Sequence, residues 1–157
     1  MASKQEQRQR QRKLNRALVE AADQGSLADI QSLLDRHANI NCRFFHFNKP
    51  LHFASLKGHH QCIELLLDRH ADVNALGYND CQPLHHASKY GHHQCIEILL
   101  DRHADINARD NSQFTPLHHA SSNGHRQCIE LLLAHGADKS LINVRLSLSE
   151  HMRASLS

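Results

Sequence analysis

The sequence contains no tryptophan, and its five phenylalanines and two tyrosines make up only 4% of 157 residues. Apolar residues still reach 40%, so a buried core has to be aliphatic. A single domain of this length has room for one. No apolar run approaches the roughly 18 residues of a membrane span, and residues 1–14 are rich in Gln and Arg, so neither a membrane segment nor a secretory signal is expected. A strong net charge is also missing. The value of +2 with histidine neutral argues against a dedicated nucleic-acid binder. The five cysteines are an odd number and read as reduced thiols in a cytoplasmic or nuclear setting. The chain carries no Gly-x-Ser-x-Gly elbow, phosphate loop or His-Glu-x-x-His motif, and its acids are not paired. No catalytic residues are therefore predicted, the chain is not expected to be an enzyme, and no cofactor is implied.

Histidine, by contrast, is abundant. Its 16 copies equal Asp and Glu combined, and full protonation would raise the net charge from +2 to 2 + 16 = +18. Most of this excess is repetition. Pro50-Leu51-His52-Phe53-Ala54-Ser55 recurs from Pro83 and again from Pro116, each time 33 residues on. Gly58 to Leu67 recurs as Gly91 to Leu100 and Gly124 to Leu133, and Leu18 to Leu34 is a degenerate earlier copy. Such a period marks a stacked repeat architecture.

Each unit reads as two short helices. Proline suits the first position of helix one, and Thr115 is a good N-cap where Lys49 and Gln82 are not. Gly91 ends helix one, and a second helix from about His92 carries Cys95, Ile96, Leu99 and Leu100 on one face. Neither helix is stable alone, so neighbouring units have to share the core.

These motifs resemble the ankyrin-repeat family, with Thr-Pro-Leu-His-x-Ala opening helix one of a repeat of about 33 residues. The likeness spans roughly residues 18–140. It implies an all-α solenoid of helix-turn-helix units joined by hairpin-like fingers. It also implies that His52, His85 and His118 hydrogen-bond between neighbouring turns. Asn41, Asn74 and Asn107 match the family's Asn after helix two, and the resemblance implies Asn74 and Asn107 as substrates for an asparaginyl hydroxylase. Two family glycines are replaced. The one after helix two is His37, His70 and His103, and the turn glycine of the finger is Phe47, Asp80 and Gln113. Histidine is tolerated in the left-handed conformation that the first of these positions requires.

The predicted organisation is a basic arm over residues 1–13 and a repeat domain over 14–157. Within the latter lie a capping repeat at 14–42, repeats at about 43–76, 77–109 and 110–140, and a partial cap at 141–157 with a short helix near 147–156. The first sixteen residues hold six positive charges against Glu6, a net of +5, leaving 2 − 5 = −3 for the rest. The arm reads as a solvated, frayed helical extension.

The His-x-x-Cys pairs at 59/62, 92/95 and 125/128 invite a zinc reading, but two ligands do not make a site, and the cysteines fall in an aliphatic column. No metal site is predicted. The resemblance implies protein binding through finger tips and the inner face of helix one. That maps to Phe45, His46, Asn48, Leu56 and Lys57, then Tyr78, Asn79, Lys89 and Tyr90, then Asn111, Ser112, Phe114, Ser122 and Asn123, bordered by Arg69 and Arg102. All seven aromatics lie in fingers or helix one, and aromatic and Arg side chains are the usual interface anchors. The expected function is a monomeric, non-catalytic scaffold or adaptor for one or more protein partners, without membrane contact. Nucleic acid is expected to bind only weakly, through the arm. The alternative is a histidine-rich module that responds to pH or metal.

Overall fold

The computed structural model describes residues 2–141, so the helix expected near 147–156 lies outside the described residues. Eight α-helices follow one another: α1 (Lys4–Gln24), α2 (Leu27–Asp35), α3 (Pro50–Lys57), α4 (His60–Asp68), α5 (Pro83–Tyr90), α6 (His93–Asp101), α7 (Pro116–Ser122) and α8 (Arg126–Ala134). Strands do not occur among the described residues. The odd-numbered helices stack on one another as an inner row and the even-numbered ones as an outer row, with each pair packed across the gap. The result is the expected all-α solenoid.

The shared core is aliphatic. Leu18, Ile30, Leu51, Ile63, Leu66, Leu84, Ile96, Leu99, Leu117 and Leu132 are all fully buried. Cys62, Cys95 and Cys128 sit in the same cluster at 1% exposure, where each replaces a small hydrophobe. Burial pushes the Cys128 thiol up to about 11.

The repeat's punctuation explains the helix limits. Helix one ends in a left-handed glycine at Gly25, Gly58 and Gly91. In these three the missing Cβ matters twice, because one built there would lie 2.6–2.7 Å from the ring of His59, His92 or His125 of the following unit. Helix two ends in left-handed His37, His70 and His103, with φ of 65°, 67° and 65°. Around His70, its N–H bonds to Leu67 O at 3.0 Å and the Ala71 N–H to Leu66 O at 2.9 Å. This is the paired closure of a left-handed C-terminal cap, which satisfies two orphan carbonyls. Thr115 Oγ1 accepts the His118 N–H as the sequence suggested, at 3.4 Å. At Lys49 and Gln82 no side-chain cap bond forms.

The arm is a solvated helical extension whose start is held by a cap. α1 runs unbroken across the 13/14 boundary and is capped at its start, where Ser3 Oγ accepts the Glu6 N–H at 3.2 Å and Glu6 Oε2 accepts the Ser3 N–H at 2.7 Å. Gln11 also donates to His37 O at 3.0 Å. The cause is local: Ser3-x-x-Glu6 is a capping box and starts the helix well before the repeat.

Candidate functional site

Three fingers project between the helix pairs, each closed by one backbone bond across its base. These are Phe44 N–H to Asn48 O (2.8 Å), Gly77 N–H to Cys81 O (2.9 Å) and Asp110 N–H to Phe114 O (3.0 Å). The glycine-free turns still adopt left-handed backbone, with φ of 66° at Phe47, 55° at Asp80 and 65° at Gln113. A non-glycine residue in this region stores strain of order 1 kcal/mol, held here by contacts between fingers. Tyr78 N–H donates to Asn48 Oδ1 at 3.0 Å, and Asn111 N–H donates to Asn79 O at 2.9 Å.

The largest exposed apolar side chains lie in the fingers, with Tyr90 at the far end of α5. Phe45 is 70% exposed, Phe47 64%, Tyr78 52% and Tyr90 46%, with Leu76 and Phe114 also open to solvent. Arg43 lies over the Phe47 ring, and Lys89 over that of Tyr90. His46 meets Tyr78 edge-on at 4.9 Å. The Phe triplet is only partly a local cluster: Phe44 packs edge-on against Phe45 at 4.5 Å, while Phe45 and Phe47 face water.

Other predicted surface residues carry structural bonds too. Asn48 bridges to Tyr78, as noted. Leu56 O accepts from His92 Nε2 and Lys89 O from His125 Nε2. Lys57 pairs with Asp23. The Ser112 N–H donates to Asp110 Oδ1, Ser122 Oγ donates to His118 O, and Asn123 donates to His119 O. Phe114 stacks on His118 at 5.4 Å and meets His119 edge-on, so its ring also covers the base of α7. Arg69 and Arg102 close α4 and α6 of the outer row and reach back along it to Asp35 (3.2 Å) and Asp68 (2.7 Å), so both are held in exposed ion pairs.

The histidines of Pro-Leu-His all close the start of their own helix, and two of them also bond to the turn that follows. His52 Nδ1 accepts the Lys49 N–H at 3.1 Å, so its proton sits on Nε2, which donates to Ala75 O at the end of its own repeat and to Cys81 O of the next. His85 repeats this with Gln82, Ala108 and Phe114, and His118 accepts the Thr115 N–H. Protonation of Nδ1 would turn that acceptor into a donor facing an N–H. Burial lowers the His52 pKa to about 4 despite its two carbonyl partners. Burial also lowers His85, aided by the neighbouring His119. His86, whose Nε2 finds no partner among the described residues, is pushed down to about 3 by burial and then by His52.

The helix-two openers form a second ladder. His59, His92 and His125 donate through Nε2 to Asp23 O, Leu56 O and Lys89 O of the preceding unit at 2.9–3.0 Å. Those Nε2 atoms are engaged in bonds between repeats, and the Cys neighbours are buried in the aliphatic core. Asn41, Asn74 and Asn107 form a third ladder, accepting the N–H of Asp72, Asp105 and Asp138 through Oδ1 at 2.9–3.1 Å.

One set of donor atoms lies outside these ladders and escaped the sequence reading. Cys81, Asp110 and His119 bring a sulfur, a carboxylate oxygen and a ring nitrogen within 4.8 Å of one another. The signal was available in the columns of the repeat. Cys81 stands where the other units have Asn48 and Phe114, and Asp110 where they have Phe44 and Gly77.

No helix of the described residues is long and apolar enough to cross a membrane. None of the curated proteins matches the chain significantly. A family profile described as "Ankyrin repeats (3 copies)" matches residues 18–110 and 51–143. That match covers most of the sequence and coincides with the stacked helix pairs, their Pro-Leu-His hydrogen bonds and their left-handed caps: the chain belongs to the ankyrin-repeat family.

Proposed function

We propose that the chain is a non-catalytic scaffold or adaptor that binds a partner protein along the finger edge and the adjoining face of the inner helix row. Ankyrin repeats are generally protein-interaction modules. The single observation that carries the reading is the gathering of exposed aromatics there: Phe45, Phe47, Tyr78, Tyr90 and Phe114. An aliphatic solenoid needs none of them for its core, and exposed aromatic side chains beside cations are favoured interface anchors. A monomer meets this function with a rigid curved surface, in a cytoplasmic or nuclear setting that keeps its five free thiols reduced. The exposed arginines of the arm, Arg8, Arg10 and Arg12, add at most a weak attraction for polyanions.

The test is affinity capture with mass spectrometry on the full chain, comparing wild type with Tyr78→Ala/Tyr90→Ala and with Phe45→Ala/Phe47→Ala. Phe114 is left intact because its ring also covers His118 and His119. Loss of the same captured proteins in both variants, with unchanged melts, is expected. Full retention in both places the binding surface elsewhere. A second reading, an acid-responsive module, is favoured by the burial of His52, His85 and His86 in neutral form.

A further inference from the structure

Most polar contacts in this molecule recur once per repeat, so a cluster that occurs at one junction only stands apart. The junction of the second and third fingers holds one. Asp110, 5% exposed, opens the third finger, and its two carboxylate oxygens do different work. Oδ1 accepts the Ser112 and Phe114 N–H groups, both at 2.9 Å, which fixes the orientation of the carboxylate. Oδ2 is thereby turned towards the His119 Nε2–H at 2.8 Å and the Cys81 Sγ at 3.9 Å. His119 is on α7 and Cys81 at the base of the second finger, so three segments from two repeats converge on one point.

We propose that Cys81, Asp110 and His119 form a binding site for a divalent zinc-type metal ion.

Distances and charge both favour this. Tetrahedral zinc with ligands at about 2.0–2.3 Å needs donor atoms about 3.3–3.8 Å from one another. Here they span 2.8 Å (His119 to Asp110) and 3.9 Å (Cys81 to Asp110), and all lie within 4.8 Å. Shifts of a few tenths of an ångström, up to about 1 Å for the longest separation, assemble three corners. A sulfur, an imidazole nitrogen and a carboxylate oxygen suit a borderline ion of the zinc class better than calcium or magnesium, which take oxygen ligands. One thiolate and one carboxylate also neutralise a dication, so the loaded junction carries no net charge.

The ligands' protons are accounted for. His119 coordinates through Nε2 with its proton moved to Nδ1, and the Cys81 thiol gives its proton to solvent as the Sγ–metal bond forms. Burial and the Asp110 charge push the free thiol up to about 11, so in the metal-free chain it is protonated and spends itself on one long contact. Burial opposes ionisation of Asp110, but hydrogen bonds from His119, Phe114 and Ser112 outweigh it and hold the carboxyl below its ordinary range. The bonds on Oδ1 are the outer-shell support that metal-binding carboxylates use. The fourth corner is left to water or to a donor atom of a bound partner, since Cys81 and His119 are only half-buried.

The site is separable from the fold. The three fingers share the same closing bond, although the residues equivalent to Cys81 are Asn48 and Phe114. Cys81→Ser is therefore a fold-preserving test, checked by circular dichroism. The full chain, reduced and freed of metal, is titrated with zinc sulfate by calorimetry and melted with and without zinc. It is then loaded with cobalt(II), whose bond to a thiolate gives a sulfur-to-metal charge-transfer band.

Wild type is expected to take up one zinc per chain, to melt about 5–10 °C higher at hundredfold excess over Kd, and to show the band. Cys81→Ser should abolish the band and weaken zinc binding by more than the roughly 10–100-fold that loss of an outer-shell partner costs. Asp110→Asn, which keeps an oxygen for the two finger N–H groups, should also remove most of the melting shift. His60→Gln/His93→Gln, which takes two histidines from the helix-two starts, should change nothing. Failure of folded wild type to gain stability with zinc overturns the proposal. So does zinc binding of full strength in Cys81→Ser, which would assign the ion to other histidines.

Discussion

A left-handed conformation strains any residue with a Cβ, and His37, His70 and His103 carry that strain at equivalent caps. Their imidazoles are exposed, so the fold asks nothing of the ring, and the backbone bonds that close the cap do not involve it. His103→Gly is therefore expected to stabilise the chain by up to about 1 kcal/mol, as relief of strain exceeds the greater entropy of glycine when unfolded. A thermal melt below that of the parent would show that the ring contributes more than the strain costs. The acid-sensitive residues are different ones. His52, His85 and His86 face the interior of the inner row. Charge near His52 comes from Lys49 and Asp72, near His85 from His119 and Asp110, and near His86 from His52, His85, Lys89 and His119. The histidines thus include rings that bridge repeats, such as His52 and His85, and rings that merely occupy a cap, such as His37, His70 and His103.

At the scale of the element, each helix-one terminus and the next helix-two start form a lock: glycine leaves the space, and the incoming histidine fills it and bonds the backbone beside it. At the second lock, a Cβ on Gly58 would lie 2.6 Å from His92 Nδ1, while His92 Nε2 donates to Leu56 O. Gly58→Ala then meets two penalties, a left-handed alanine at about 1–2 kcal/mol and displacement of the ring. In a His92→Ala background only the first remains. A denaturant double-mutant cycle should therefore show coupling of at least about 0.5 kcal/mol, and strict additivity would mean that the ring moves aside freely. The helix limits and the caps at 37, 70 and 103 were legible in the sequence because each depends on residues within one repeat. The bridging role of His52 and His85 came from the family resemblance. What stayed hidden joins distant positions: Cys81 with Asp110 and His119, or Arg69 with Asp35, 34 residues back. Periodicity shows what is repeated, whereas such pairs depend on where the template is broken and on which row a side chain points along. The start of α1 was legible too, since Ser3-x-x-Glu6 is a local signal, but its charge pattern pointed to a loose arm.

Over the whole molecule, acid acts on a stack whose units hold one another through neutral histidines. An ordinary histidine protonates near 6.5, whereas His52 in the fold does so at about 4. Between those values the unfolded chain binds protons that the folded chain refuses, so stability is fully present above about pH 6.5 and falls as the pH drops through that window. Each such group adds a slope approaching about 1.4 kcal/mol per pH unit. His52, His85 and His86 occupy two adjacent units of one continuous core, so their loss is not confined to one end of the solenoid. Repulsion adds to it, because the fully protonated chain approaches 2 + 16 = +18. Urea unfolding of the full chain, with chelator present so that no metal contributes, should give a midpoint clearly lower at pH 5.5 than at pH 7.5. Replacing His86 by Leu should flatten the difference, since the buried Nε2 of that ring finds no hydrogen-bond partner among the described residues and its burial disfavours the charged form. Equal midpoints at the two pH values for the parent would mean that the inner row admits water and charge more readily than its packing implies.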